Sequence, residues 1–154
     1  MQCVLAGLLL VGLAASIDMS AEDKEVLDKT VWLEARGEPK EGQMAVVSVI
    51  KNRAEANRGY WGGNSIKGVC LAPQQFEAWN NQKPGDVHPE NDADAAVYKD
   101  IQGWSKSVVD GSEQDRSQGA VYYNNPDKEG PLTDRIKGIC PTVVIGAHHF
   151  YKEC

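Results

Sequence analysis

Hydrophobic and polar positions follow a helical period through most of the chain and a strand period near its end. Over residues 20–35, Leu27 and Val31 lie four apart, with Val26, Thr30 and Leu33 beside them, as on one helix face. Ser20-Ala21-Glu22-Asp23 offers a capping-box-like start with acidic residues in the first turn, and Gly37 and Pro39 supply the stop. Residues 41–56 predict a second helix that is apolar on most sides (Met44, Ala45, Val46, Val47, Val49, Ile50) and therefore central and buried. Residues 58–64 (RGYWGGN) read as a glycine- and aromatic-rich loop, 65–71 as a short helical turn, and 73–89 as an irregular segment carrying Phe76 and Trp79. After Asn91-Asp92, the residues Ala93, Val97, Ile101, Trp104 and Val108 form a stripe that predicts a third helix, with Trp104 in the core. A polar loop over 110–119 leads to short strands predicted at 120–124, 142–145 and 148–151, with Asn125-Pro126 as a turn. Helices first and strands last make an α+β domain with a small antiparallel sheet.

Composition narrows the class. The chain has 154 residues, 42% hydrophobic and 25% charged, which suits one globular domain. It carries 22 acidic against 16 basic side chains, net −6, with a sequence pI near 5.0. That balance argues against a nucleic-acid partner and gives no reason for adsorption to an anionic membrane. Residues 4–17 form an uncharged apolar run ending in Ala14-Ala15-Ser16. The run is shorter than the roughly 20 residues of a membrane span and reads as an export signal over residues 1–16, although Met1-Gln2-Cys3 lacks a basic residue. An N-terminal anchor or core helix is the alternative. The expected product is a secreted domain over residues 17–154, free of the membrane after signal removal and monomeric.

Removal of the signal would take Cys3 and leave Cys70, Cys140 and Cys154, an odd number in an oxidising compartment. Cys140 and Cys154 flank two short strands around Gly146, which favours that pair. Cys70 with Cys140 is the runner-up, and three free buried thiols remain open. No Cys-x-x-Cys occurs, so a structural zinc module is not expected; no metal or cofactor is expected elsewhere.

The most informative stretch is Trp32-Leu33-Glu34-Ala35-Arg36-Gly37-Glu38-Pro39. Glu34 follows Val31 by three and Leu27 by seven, so it projects from the edge of the inward helix face. It also falls in the last turn, where the negative end of the helix dipole disfavours an anion. Burial and dipole both push a carboxyl pKa upward, and a carboxyl kept protonated near neutrality can protonate a leaving oxygen. The alternative is a helix-end Glu paired with Arg36 or solvated. No Gly-x-Ser-x-Gly, P-loop or His-Glu-x-x-His competes. His148 and His149 would point to opposite faces of a strand, a poor geometry for one metal.

Several segments together resemble the SleB-type cell-wall hydrolases, the spore-cortex-lytic enzymes and their relatives. Glu34-Ala35-Arg36-Gly37-Glu38-Pro39 followed by Glu41-Gly42-Gln43-Met44-Ala45-Val46 is similar to the family's EARGE-P-x-E-G-Q-x-A-V. Val49-Ile50-Lys51-Asn52-Arg53, Ser65-Ile66-Lys67-Gly68-Val69 and Gln75-Phe76 resemble its V-I-x-N-R, S-I-x-x-V and Q-F elements. Gly119-Ala120-Val121-Tyr122-Tyr123-Asn124-Asn125-Pro126 and Ile145-Gly146-Ala147-His148-His149-Phe150-Tyr151 resemble its G-A-x-Y-Y-x-N-P and I-G-x-H-x-F-Y. The elements occur in order over residues 25–151.

The resemblance implies a lysozyme-like fold of the lytic-transglycosylase type. It implies cleavage of the β-1,4 bond between N-acetylmuramic acid and N-acetylglucosamine in peptidoglycan glycan strands, with Glu34 as the catalytic acid. Glu38, Gln75, Phe76, Tyr123, Asn124, His148 and Tyr151 are candidates for contacting the sugar, with core packing the alternative for Gln75, Phe76, Tyr123, Asn124, His148 and Tyr151. For Arg36, Glu38 and Gln43 a structural role through buried ion pairs and hydrogen bonds is also open, and Asn52 reads as a structural hydrogen-bonder. A hydrolase would need a second carboxylate. Glu38, Asp115 and Asp134 offer none that stands out, which favours the anhydro-forming route. Leu33 departs from the family's usual Gly, and the expected mature chain lacks the spore enzymes' N-terminal peptidoglycan-binding module. A non-catalytic glycan-binding module and a glycosidase acting on chitin or another amino-sugar polymer are the other readings. The net charge of −6 favours a neutral glycan over an anionic wall.

Overall fold

The computed structural model describes residues 16–154, so the expected export signal lies outside the described residues except for Ser16. Helix α1, Ala21–Ala35, starts with the capping box the sequence announces. Ser20 Oγ accepts from the Asp23 amide at 3.0 Å, and the Asp23 carboxylate accepts from the Ser20 amide at 3.0 Å. The helix is buried around most of its circumference, not along one stripe. Val26, Leu27, Val31, Trp32 and Ala35 pack into the core, while Asp28, Lys29 and Thr30 are buried beside them. Each of these polar groups is satisfied. Asp28 receives Lys24 Nζ at 2.6 Å and the Ser105 hydroxyl, Lys29 Nζ donates to Glu25 at 2.7 Å, and Thr30 Oγ1 donates to the Val26 carbonyl at 2.7 Å.

Helix α2, Lys40–Ala56, follows Pro39 directly and is buried from Gly42 through Ile50, as its all-round apolar pattern predicts. Helix α3, Ile66–Leu71, is capped by Ser65 Oγ accepting from the Gly68 amide at 2.9 Å. Helix α4, Asp92–Val109, is capped by Asn91 and buries Ile101, Trp104, Ser105, Val108 and Val109. Ala93 is exposed and Val97 only half-buried, because the first turns of α4 run beyond the core. Helix α1 packs against α2, α3 and α4, so the two central helices share one hydrophobic centre.

The sheet is three-stranded and antiparallel in the order β1-β3-β2. Strand β1 is Tyr122–Asn124, β2 is Ile139–Ile145 and β3 is His148–Glu153. Strand β2 starts three residues earlier than the pattern predicts. Pro141 obscures it, yet Pro141 sits on an edge strand at a register shift before Val144, where a missing amide does no harm. A short helix α5, Pro126–Glu129, occupies the expected turn after β1. Strands β2 and β3 form a hairpin through Gly146 and Ala147, with Gly146 at φ 59°. Cys140 and Cys154 are disulfide-bonded across its open ends, with Cα atoms 5.2 Å apart. Cys70 is free and buried, so the Cys70–Cys140 alternative falls. On β3, His148 and Phe150 face the helices, and Tyr151 turns to the opposite side against Leu132 and Ile139. Among the described residues, no helix is long and apolar enough to cross a membrane, and no acidic, His and Cys cluster could hold a metal.

Candidate active site

An open cleft of about 1140 Å³ runs between the C-terminal end of α1, the 74–82 segment and the inward face of the sheet. Glu34 projects into it from the last turn of α1. Its Oε1 accepts from the Ala78 amide at 3.2 Å, and its Oε2 accepts from the Tyr123 hydroxyl at 3.0 Å. The Ala78 amide belongs to a 3-10 turn, Glu77–Trp79, and that turn is fixed to α1 a second time. Trp79 Nε1 donates to Thr30 Oγ1 at 3.0 Å, one helical turn before Glu34. Tyr123 comes from β1, where it pairs with Phe150 and packs on His148 at 4.9 Å between ring centroids.

Burial is the largest influence on Glu34 and raises its carboxyl above the ordinary value of 4.5. The Ala78 and Tyr123 bonds oppose the rise, while the charges of Glu77 and Glu129 add to it. Tyr123 is pushed well above the usual phenol value by burial and by the Glu34 charge, so it remains a donor. Burial also lowers the His148 imidazole, against the pull of Glu38 and Glu129.

The structure brings Glu34, Glu38, Gln75, Tyr123, Asn124 and His148 to one cleft. Phe76 and Tyr151 do not join them. Phe76 is 2% exposed in the main core, and Tyr151 is 5% exposed in the small cluster behind the sheet. Glu38 is committed to the fold, its Oε2 accepting from the Ala147 amide at 3.0 Å. Gln43 ties the same turn together through the carbonyls of Ala35 at 3.2 Å and Glu38 at 3.3 Å. Asn52 donates to Asp115 at 3.1 Å and to the Ala120 carbonyl at 2.9 Å, the structural role expected of it. Arg36 makes no buried ion pair; it is exposed, with its guanidinium 5.0 Å from the Trp32 ring centroid.

Neither loop aspartate reaches the cleft. Asp115 accepts from the Ser117 and Gly119 amides and holds its own loop, and Asp134 is exposed elsewhere. The other carboxylates lining the cleft are Glu38, Glu77 and Glu129, the last two exposed. Together with Glu34 they make four, matched by four cations, Arg36, Arg53, Lys128 and Arg135. The net charge of −6 is therefore not concentrated at the site.

Two features escape sequence reasoning. The Ala78 donor is a backbone group with no side-chain signature. Arg53, on a helix whose pattern is apolar, lies inside a cage of Trp61, Phe76 and Tyr122, each ring centroid 5.5–5.8 Å from its guanidinium carbon. Asn124 Oδ1 and His148 Nδ1, both buried in the cleft wall, have no hydrogen-bond partner among the described residues.

Residues 37–151 match the Cell Wall Hydrolase family, a span that begins three residues beyond Glu34. The spore cortex-lytic enzyme of Bacillus subtilis is 37% identical over 110 residues, 70% of this chain and 31% of that protein. The spore cortex-lytic enzyme of Bacillus cereus is 34% identical over 136 residues, 86% of this chain and 45% of that protein. The chain thus spans less than half the length of either relative. The catalytic domain of germination-specific lytic transglycosylase SleB from Bacillus anthracis aligns with a TM-score of 0.61 at 28% identity, covering 86% of this chain and 96% of that one. The catalytic domain of the Bacillus cereus SleB protein aligns at 0.59 and 26% identity, covering 91% and 97%. The expected α+β arrangement, helical with a small antiparallel sheet, is the fold of these domains.

Proposed function

The chain belongs to the Cell Wall Hydrolase family, and from that premise we propose that it is an exported lytic transglycosylase that cleaves peptidoglycan between N-acetylmuramic acid and N-acetylglucosamine. The observation that carries the reading is one half-buried carboxyl, Glu34, raised in pKa and set in an open cleft of about 1140 Å³. Glu34, whose carboxyl burial raises above its ordinary value, donates its proton to the glycosidic oxygen as the bond breaks and positive charge builds on the muramoyl ring. The new carboxylate is received by donors already in place, the Ala78 amide and the Tyr123 hydroxyl. It then removes the proton of the muramoyl 6-hydroxyl, whose oxygen closes onto the anomeric carbon and leaves a 1,6-anhydro end. Of the other cleft carboxylates among the described residues, Glu77 and Glu129 are exposed and half-buried Glu38 already holds the Ala147 amide, which supports this route over activation of water.

Digestion of purified peptidoglycan by the wild type and by Glu34→Gln, with products weighed by mass spectrometry, tests the reading. The wild type releases fragments one water lighter than reducing-end products, and the variant loses activity by roughly 100-fold or more. Equal activity of the two proteins removes Glu34 from the role of acid. Reducing ends of full mass make the enzyme a hydrolase, and cleavage of chitin oligomers in preference to peptidoglycan moves it to another polymer.

A further inference from the structure

Arg53 is 6% exposed, and no carboxylate of the described residues lies in ion-pair range of it. Lys29, equally buried at 6%, has the Glu25 carboxylate at 2.7 Å, so this protein does pair buried cations elsewhere. The Arg53 Nε donates to the Val121 carbonyl at 2.7 Å, and one terminal nitrogen donates to Gln75 Oε1 at 3.3 Å. The other terminal nitrogen donates to no described residue and is not sealed from the surface, and the side chain lines the same cleft as Glu34. The ring faces of Trp61, Phe76 and Tyr122 hold the guanidinium plane in place.

Hydrogen bonds to the Val121 carbonyl and Gln75 Oε1, both neutral acceptors, leave the charge without a counter-ion. Burying a cation without a counter-ion costs several kcal/mol, and an apolar side chain would fill the same aromatic cage at no such cost. Arginine stays charged under these conditions, and its planar fork suits a carboxylate. We propose that Arg53 is the anion-reading residue of the cleft, and that its free guanidinium edge takes a carboxylate carried by the muramoyl residue, on its lactyl group or its stem peptide. The inference rests on the reading of the cleft as a peptidoglycan site. It distinguishes muramic acid from an uncharged amino sugar through one pre-positioned cation, whatever the net charge of the chain.

The test uses Glu34→Gln protein, which binds without cleaving, and titration calorimetry. The ligands are a peptide-free tetrasaccharide of alternating N-acetylglucosamine and N-acetylmuramic acid, the same sugar with its lactyl carboxylates converted to methyl amides, a stem-peptide-bearing tetrasaccharide with and without amidated peptide carboxylates, and chitotetraose. At least one carboxylate form binds about tenfold or more tightly than its own amide. Preference within the first pair identifies the lactyl group, and preference within the second identifies the peptide. Because Arg53→Gln also loses the Val121 bond and can fail through folding, Gln75→Glu provides the second arm. It places a carboxylate beside the guanidinium while leaving Arg53 intact, and the acid-to-amide ratio falls to about one. Equal binding of acid and amide forms in the Gln75 protein overturns the inference alone, as does a preference that survives both Gln75→Glu and Arg53→Gln. Failure of every muramoyl ligand to bind while chitotetraose binds overturns the peptidoglycan reading itself.

Discussion

Gly146→Ala tests how the hairpin tip is locked to the α1–α2 turn. Gly146 has φ 59°, a conformation that costs a residue with a Cβ about 1–2 kcal/mol. A Cβ built there would lie 2.0 Å from Glu38 Oε2 and 2.9 Å from Pro39 Cδ. The Glu38 carboxylate must then leave, and with it goes the bond from the Ala147 amide at 3.0 Å, a charge-assisted hydrogen bond of about 1.5–3 kcal/mol. The two contributions together give a destabilisation of about 2.5–5 kcal/mol. Urea denaturation of the wild type, Gly146→Ala, Glu38→Ala and the double variant separates them. In the Glu38→Ala background the glycine substitution still costs the backbone strain and the close approach to Pro39 Cδ but no longer displaces a carboxylate, so the cycle yields a coupling of about 2 kcal/mol. Additive costs, within about 0.5 kcal/mol, refute the contact as the cause.

Two further outcomes follow from the same geometry. Glu34 is held neutral more strongly in the folded chain than in the unfolded one, so its ionisation is a penalty on folding that is absent below the unfolded value of 4.5 and complete above the raised folded value. Glu34→Gln, which can keep both hydrogen bonds by accepting from Ala78 and donating to the Tyr123 oxygen, therefore matches wild-type stability near pH 4 and exceeds it at pH 8; denaturation curves at the two pH values check this, and a pH-independent difference refutes it. Cys154→Ser opens a cross-link of sequence separation 14, which lowers stability by about 3 kcal/mol in the absence of reductant. Added reductant brings the wild type down to the variant, and a wild type indifferent to reductant contradicts a stabilising disulfide.

The helices were legible because their signals are local. Ser20 and Asp23 cap α1, the apolar run of α2 buries it, and Ile101, Trp104 and Val108 mark the inner face of α4. Strand β2 was legible only in its second half, since Pro141 reads as a breaker until the sheet shows it on an edge at an irregularity. The polar run Pro126-Asp127-Lys128-Glu129 carries no apolar period, so α5 reads as a turn. At the site, Glu34 was visible from helix geometry and motif together. Phe76 and Tyr151 were not separable from cleft residues, because which side of a loop or strand an aromatic faces is decided by partners distant in sequence, here Arg53 and Leu132. Arg53 was visible only as part of a motif, and its place in the cleft was hidden, as a charge in a helix ordinarily marks the solvated side.

The Ala78 amide that holds Glu34 has a consequence for how this loop can change over generations. A donor supplied by the main chain is indifferent to the side chain it carries, so nearly any replacement at position 78 preserves the hold on the carboxylate. Proline alone abolishes it. Residues around that amide are thus free to drift and to be recruited for contacts with different glycans. Trp79 is under tighter constraint, because its indole nitrogen on Thr30 keeps the amide in place.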